Sequence, residues 1–310
     1  MPITRAQQLK ELVPGLNALF GLEYNRYPDE WKAIFDTETS DRAFEEETKL
    51  VGFGPAPVKL EGVGVTFDMA QEAYTARYTH ETVALAFAIT EEAMEDNLYV
   101  NVSQRYTKSL ARSMSYTKNI KGAAVLNNAF SSTVLGGDGV SLCGINSSSA
   151  RVGHVINSGG TNYNNPATGV DLNETSLEAA IIAIGQWTDE RGLLIAAQPK
   201  GLIVPINLQF VSERLLKTAL RTATTNNDIN AIKSRNDIQN GYEVNHFLTD
   251  TNAWFVKTDI PDGLKHFSRV PIKQTMEGDF DTGNVKYKAR ERYSFGYSDP
   301  LSIWGSAGSS

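Results

Sequence analysis

Hydrophobic positions change their period several times along this chain of 310 residues. Residues 4–13 suit a short helix that should end near Pro14 and Gly15, because proline breaks a helix interior. From 49 to 90 the pattern is that of a long β-hairpin. Gly52, Gly54, Pro55 and Pro57 interrupt regular structure, and then Val63, Val65 and Phe67 alternate with small or polar residues. A turn is expected near Asp68–Glu72. Tyr74, Ala76 and Tyr78, and later Val83, Leu85, Phe87 and Ile89, carry the alternation back. Such a two-stranded ribbon is marginal alone in water, so it needs a surface, which a neighbouring subunit can supply.

Residues 91–130 read as one long helix, with Thr90 as N-cap and Glu91 and Glu92 at the positive end of its dipole. Met94, Leu98, Val102, Tyr106, Leu110 and Met114 recur in steps of four. Each step advances the stripe by about 40° on a helix of 3.6 residues per turn. A stripe that winds suits a helix laid across several partners. Residues 131–174 are rich in Gly, Ser, Asn and Thr and read as a long surface loop region, with short strands around Val152–Ile156.

Residues 175–260 have an α/β pattern. Thr175 and Glu178 suggest a capping box, Leu177, Ile181, Ile184 and Trp187 mark a helix face, and Gly192 is expected to close that helix. Leu193–Ala197 and Leu202–Val204 read as short buried strands. Pro205 suits the first turn of a helix running to about Leu220. Tyr242–Thr249 and Ala253–Lys257 are expected to pair as a hairpin, and further strands fall near 265–272 and 284–297.

Charge adds a second pattern. From Glu23 to Glu47 there are nine acids and three bases among scattered aromatics (Tyr24, Tyr27, Trp31, Phe35, Phe44), without a clean period. This reads as an extended arm using its aromatics as separate anchors on another surface. From Asn97 to Gly137 there is no acid, but there are Arg105, Lys108, Arg112, Lys118 and Lys121. Acidic arm and basic helix are expected to meet, within one subunit or between two. The candidate inter-subunit contacts are therefore Glu45, Glu46, Glu47, Tyr74, Tyr78, Arg105, Lys108, Arg112 and Lys118. A net charge of −7 argues against a dedicated nucleic-acid binder. The single cysteine, Cys143, excludes an internal disulfide and a cysteine-based metal cage. No apolar run is long enough to span a bilayer, and the N-terminus lacks the apolar stretch of a signal peptide, so folding in cytoplasm without membrane is expected.

Candidate chemistry is sparse. His80, His154, His246 and His266 share no metal-ligand spacing, and lone strand histidines such as His80 and His246 are usually structural hydrogen-bonding residues. Cys143 has no nucleophile signature, and the glycine-rich pieces Gly62-Val63-Gly64 and Gly136-Gly137-Asp138-Gly139 fit no phosphate loop. No catalytic, metal or cofactor site is expected.

Four stretches carry a resemblance. They are Gly15-Leu16-Asn17-Ala18-Leu19-Phe20-Gly21-Leu22 with Tyr27-Pro28-Asp29-Glu30-Trp31; Tyr78-Thr79-His80-Glu81 through Phe87-Ala88-Ile89-Thr90-Glu91-Glu92; Val244-Asn245-His246-Phe247-Leu248-Thr249-Asp250 with Ala253-Trp254-Phe255-Val256-Lys257-Thr258-Asp259; and Arg292-Tyr293-Ser294-Phe295-Gly296-Tyr297-Ser298-Asp299-Pro300. In this order the chain resembles tailed-phage major capsid proteins of the Hong Kong 97-like fold, over nearly its whole length. The resemblance implies an α+β fold with an N-terminal arm (1–48) and an extended β-hairpin loop (49–90). It implies a peripheral domain with a long spine helix and C-terminal strands (91–130 and 246–310) and an α/β axial domain (131–245). It further implies self-assembly into the hexamers and pentamers of an icosahedral shell in a bacteriophage virion, assembled in the host bacterial cytoplasm. Packaged double-stranded DNA would be held non-specifically, with portal and scaffolding or decoration proteins as further partners and no cofactor. Two other readings compete. One is a different self-assembling phage protein, such as a tail tube or decoration protein, although those are usually smaller and mostly β. The other is a cytoplasmic hydrolase, which predicts small oligomers and a cleft.

Overall fold

The computed structural model of the chain describes residues 5–90, 92, 99–144, 164–166, 168–189, 191–220, 228–279 and 283–309. Helix α1 (Arg5–Tyr24) runs straight through Pro14, so the expected break there is wrong. Beyond the proline, Leu16 and Phe20 are buried with Leu110 and Met114 of the long helix, and this burial outweighs the local penalty of a helical proline. The acidic stretch that follows is folded onto its own chain. A 3₁₀ turn (Glu30–Ala33) seats Trp31 in a core with Ile34 and Phe35, and strand β1 (Asp36–Thr39) pairs in parallel with β8 (Leu264–Gly278).

β1 and β8 belong to a four-stranded sheet completed by β9 (Val285–Tyr297) and β4 (Glu81–Ile89), in the order β1-β8-β9-β4. The strands expected near 265–272 and 284–297 are β8 and β9. Along β9 the residues Val285, Tyr287, Ala289, Glu291 and Tyr293 are buried while Lys286, Lys288 and Arg290 are exposed, the period of two that one covered face produces. The cover is helix α2 (Tyr99–Asn127), with α1 packed alongside. Glu91 and residues 93–98, the expected first turns of the long helix, lie outside the described residues, as does the expected strand at Val152–Ile156.

The expected 49–90 hairpin is only half right. β2 (Phe44–Val51) pairs antiparallel with β3 (Gln71–Thr79), so the ribbon begins inside the acidic stretch. Residues 52–70 form no regular strand, and the chain turns at Leu60–Val63 rather than near Asp68. At His80 the chain leaves the ribbon, and β4 pairs with β9 instead. One alternating run thus serves two sheets.

A second sheet has the order β10-β7-β5-β6, from β5 (Pro199–Val204), β6 (Tyr242–Val244), β7 (Trp254–Thr258) and β10 (Ile303–Ser306). β6 and β7 are not a hairpin: they flank β5, the first parallel and the second antiparallel. Helices α3 (Glu174–Gly185), α4 (Gln209–Lys217) and α5 (Ala231–Arg235) cover this sheet, burying Leu177, Ile184, Leu215 and Ile232 against Trp254 and Trp304. The α3 cap differs from expectation. The Asn173 side chain accepts from the Ser176 backbone N–H, and the Ser176 hydroxyl accepts from the Asn173 N–H, so the box starts two residues earlier than Thr175. α3 ends at Gly185, and Gly192, at φ +80°, instead lets the chain turn between Asp189 and Leu193. Among the described residues, Leu193–Ala197 forms no strand but one isolated bridge, Thr188 to Leu194.

Candidate functional site

Sequence reasoning pointed to assembly contacts rather than a catalytic centre, and the structure locates each candidate. The base of the ribbon is held by charges inside the chain. Lys265 is buried on β8 and donates to Glu47 at 2.5 Å, with Glu38 at 3.0 Å and Asp262 at 2.9 Å. Burial alone would lower its pKa, but the hydrogen bonds to Glu47, Asp262 and Glu38 prevail and hold it above the usual lysine value. Ser298 donates to Glu47 and also bonds the buried Tyr78 hydroxyl at 2.5 Å, while Tyr74 donates to the Ser298 carbonyl at 3.0 Å. Burial raises the Tyr78 pKa, so that hydroxyl stays protonated. Lys49 donates to the buried Asp299 at 2.5 Å. Glu47, Tyr74 and Tyr78 are therefore fixed within their own subunit.

The remaining candidates divide. Glu45 accepts from Ser40 at 2.6 Å, and Ser40 bonds His80, whose other ring nitrogen reaches Ser294 at 3.0 Å. Glu46 is exposed, with Arg77 at 3.7 Å across the ribbon. Arg105, Lys108 and Arg112 are exposed on α2, the last lying 5.8 Å from the Tyr27 ring. Lys118 is half-buried and pairs with Glu291 of β9 at 3.3 Å. Within one chain the arm acids and the spine bases thus make no ion pair with each other among the described residues: Glu46 and Glu47 take Arg77 and Lys265, and Lys118 takes Glu291.

Sequence reasoning missed the polar seam beneath the helix. Ser103, Thr107, Ala111, Ser115, Asn119 and Gly122, spaced by threes and fours, lie on the buried side of α2, and a Cβ on Gly122 would come within 2.8 Å of the Trp31 Cβ. A helical period of small and polar residues is the signal the sequence carries for it, and it is faint because such residues do not mark a core by hydrophobicity. Under that seam lies His266, with ring centroids of Trp31 at 4.3 Å and Phe295 at 4.7 Å. His80 and His246 have the hydrogen-bonding roles expected of them, His246 meeting Glu30 at 2.7 Å.

The ribbon ends in an apolar loop. Phe53, Val58, Leu60, Val63, Val65, Phe67 and Met69 are all more than half exposed, Phe67 to 94%. The loop's root is tied down by Arg191, which donates to the Met69 carbonyl at 2.7 Å. A cleft of about 380 Å³ between β3, the end of α2 and the 134–142 loop is lined mainly by Tyr78, Val125, Leu135, Leu142 and Tyr297, without a convergent set of catalytic groups. Among the described residues, no cluster of His, Cys, Asp and Glu is arranged to hold a metal ion, and no helix is long and apolar enough to cross a membrane.

Comparison with known proteins agrees with this picture. A family model described as phage capsid protein matches residues 73–305. No curated protein matches the chain. Among solved structures, the chain is similar to the capsid of Myoviridae phage XM1 (10% identity, 88% of each chain covered, TM-score 0.55). It is also similar to the capsid of an empty GTA particle (11% identity, 92% of this chain and 91% of that chain, TM-score 0.54). A third is a virus-like particle from Pyrococcus furiosus (11% identity, 94% and 97%, TM-score 0.52). At such identities these likenesses speak for the fold, and the family match speaks for the role. The chain belongs to the phage capsid protein family: it is a major capsid protein of the Hong Kong 97-like fold, a structural subunit of an icosahedral virion shell and not an enzyme.

Proposed function

We propose that subunits of this shell protein join as hexamers and pentamers, each casting its ribbon loop onto a neighbour. The observation that supports this is the exposed apolar loop at 52–70, whose side chains find no cover in their own chain. Burying apolar surface stabilises by about 25 cal/mol per Å², so several large side chains left in water make a strong drive to associate. The working division is an arm (1–48), an extended loop (49–90), a peripheral part (91–130 and 246–310) and an axial part (131–245). Strand β7 pairs with β5 and β10 pairs with β7, so the C-terminal segment serves both parts. Of the charged candidates, Glu46, Arg105, Lys108 and Arg112 are the exposed ones left for contacts between subunits. The shell would assemble in the host bacterial cytoplasm and enclose double-stranded DNA non-specifically, with portal and scaffolding or decoration proteins completing it.

Light scattering of the purified chain at rising concentration, followed by negative-stain microscopy, tests this reading. Large closed particles are expected. A chain that stays monomeric across salt and pH would overturn it.

A further inference from the structure

Among the described residues, two stretches of backbone with unbonded groups are complementary. β4 is the last strand of its sheet. It pairs with β9 over its whole length without a register shift, and its other edge bonds no backbone group among the described residues. An open edge is a template for another strand, and proteins normally blunt one with lysine, proline or a bulge. β4 has none of these. From Thr82 to Ile89 it carries no charge and no proline, and Thr82, Ala84, Ala86 and Ala88 are exposed beside Leu85 at 46% exposure.

The second stretch is residues 63–67. Val63, Val65 and Phe67 alternate with Gly64 and Thr66, a strand pattern, yet they form no strand in their own chain. The Val63 N–H closes a turn on the Leu60 carbonyl, and from 64 to 67 no backbone group is bonded among the described residues. Val63, Val65 and Phe67 are 55%, 70% and 94% exposed.

We propose that residues 63–67 of one copy add as a strand to the open edge of β4 in a second copy. This rests on the shell reading above and names the place where the loop docks. Charge favours the edge over the face. Next to β4, the exposed side of β9 carries Lys286, Lys288 and Arg290, which an apolar segment lying flat would have to desolvate. At the edge it meets alanine, threonine and Leu85 instead. Backbone hydrogen bonds supply the attraction, and the alternate side chains Val63, Val65 and Phe67 fix the register. Each copy gives one segment and receives one, so the contact is heterologous and runs round a ring rather than closing on itself as a dimer.

The test uses the full chain with Val65→Cys combined with either Ala84→Cys or Ala86→Cys. Cys143 is left in place because it is buried. After assembly and mild oxidation, a denaturing gel should show a ladder of covalent species extending past the dimer from at least one pair, and none from single variants. Covalent dimers from Ala86→Cys alone would mean that β4 pairs with β4, and would overturn the proposal. Particles that form without cross-links from either pair would also overturn it, leaving the shell reading intact. Absence of any particle would overturn both.

Residue-resolved hydrogen exchange on the unaltered chain gives an independent reading. In an antiparallel edge strand, successive backbone groups point alternately toward and away from the existing partner. On assembly, every second amide of β4 should therefore slow by about tenfold or more, while the amides already bonded to β9 change little. Uniform slowing, or none, would refute strand addition.

Discussion

His266 is buried among Trp31, Tyr293 and Phe295, with neither ring nitrogen hydrogen-bonded to another described residue. Burial, then the nearby Lys118 and Lys32, pushes its pKa from 6.5 down to about 3. Between those values the unfolded chain binds a proton that the folded chain refuses, so stability falls with acidification, by about 1.4 kcal/mol per pH unit from this group. Glu291 works in the opposite sense: burial raises its pKa against the pull of Lys118, so acidification relieves it. Replacing His266 by Phe should flatten the loss of stability between pH 6 and 4, measured by denaturant titration of the unassembled subunit. An unchanged slope would show that His266 takes up its proton in the folded state. The Lys118–Glu291 pair gives a second prediction. Lys118→Met leaves a buried carboxylate without its cation and should cost about 3–5 kcal/mol, while the double variant Lys118→Met with Glu291→Leu should recover most of that. If the double variant is no better than the single, the loss comes from packing at the seam rather than from the stranded charge.

Elements were legible where local pattern and tertiary partner agree. β8 and β9 alternate because one face is covered, and the long helix declares itself by length and by the absence of breakers. The failures share a cause, which is that pairing between distant segments leaves little local trace. Tyr242–Val244 and Trp254–Thr258 look like a hairpin because they are neighbours in sequence, but β5 lies between them. Val63, Val65 and Phe67 alternate like a strand without a partner in the chain, and Pro14 sits in a helix because Leu16 and Phe20 have somewhere to pack. The charged candidates were the least legible. Nothing in the sequence distinguishes Glu47, bound to Lys265, from Glu46, which stays exposed. A prediction at this scale concerns the ribbon. Residues 52–70 have few local backbone bonds and should exchange fast in the free subunit, whereas β2 and β3 should be protected even there. In shells the loop should become slow. Strong protection of 52–70 before assembly would mean that the loop is covered by its own chain.

The whole molecule carries a net charge of −7, yet an acid-free stretch of α2 presents Arg105, Lys108 and Arg112 to solvent. Reversing all of Glu45, Glu46 and Glu47 would be a poor probe of any contact to these bases, since Glu47 anchors the ribbon to Lys265 and Glu45 holds Ser40. Glu46 is the informative position, because its side chain is exposed and its ion pair to Arg77 is long at 3.7 Å. An isolated exposed pair is worth ~0–1 kcal/mol, so the effect in a free subunit should be negligible. Repeated at every contact of a shell, the same charges set register and association rate. Glu46→Lys should therefore fold normally but assemble more slowly in low salt, with the difference shrinking at higher ionic strength as charges beyond about 8–10 Å are screened. Adding Arg105→Glu and Lys108→Glu should restore part of the rate if the ribbon of one subunit meets the spine of the next. The rival use of the basic face is contact with packaged DNA. In that case Glu46→Lys changes nothing in DNA-free assembly, the compensating pair rescues nothing, and Arg105→Glu with Lys108→Glu instead weakens the salt-sensitive retention of DNA by filled particles.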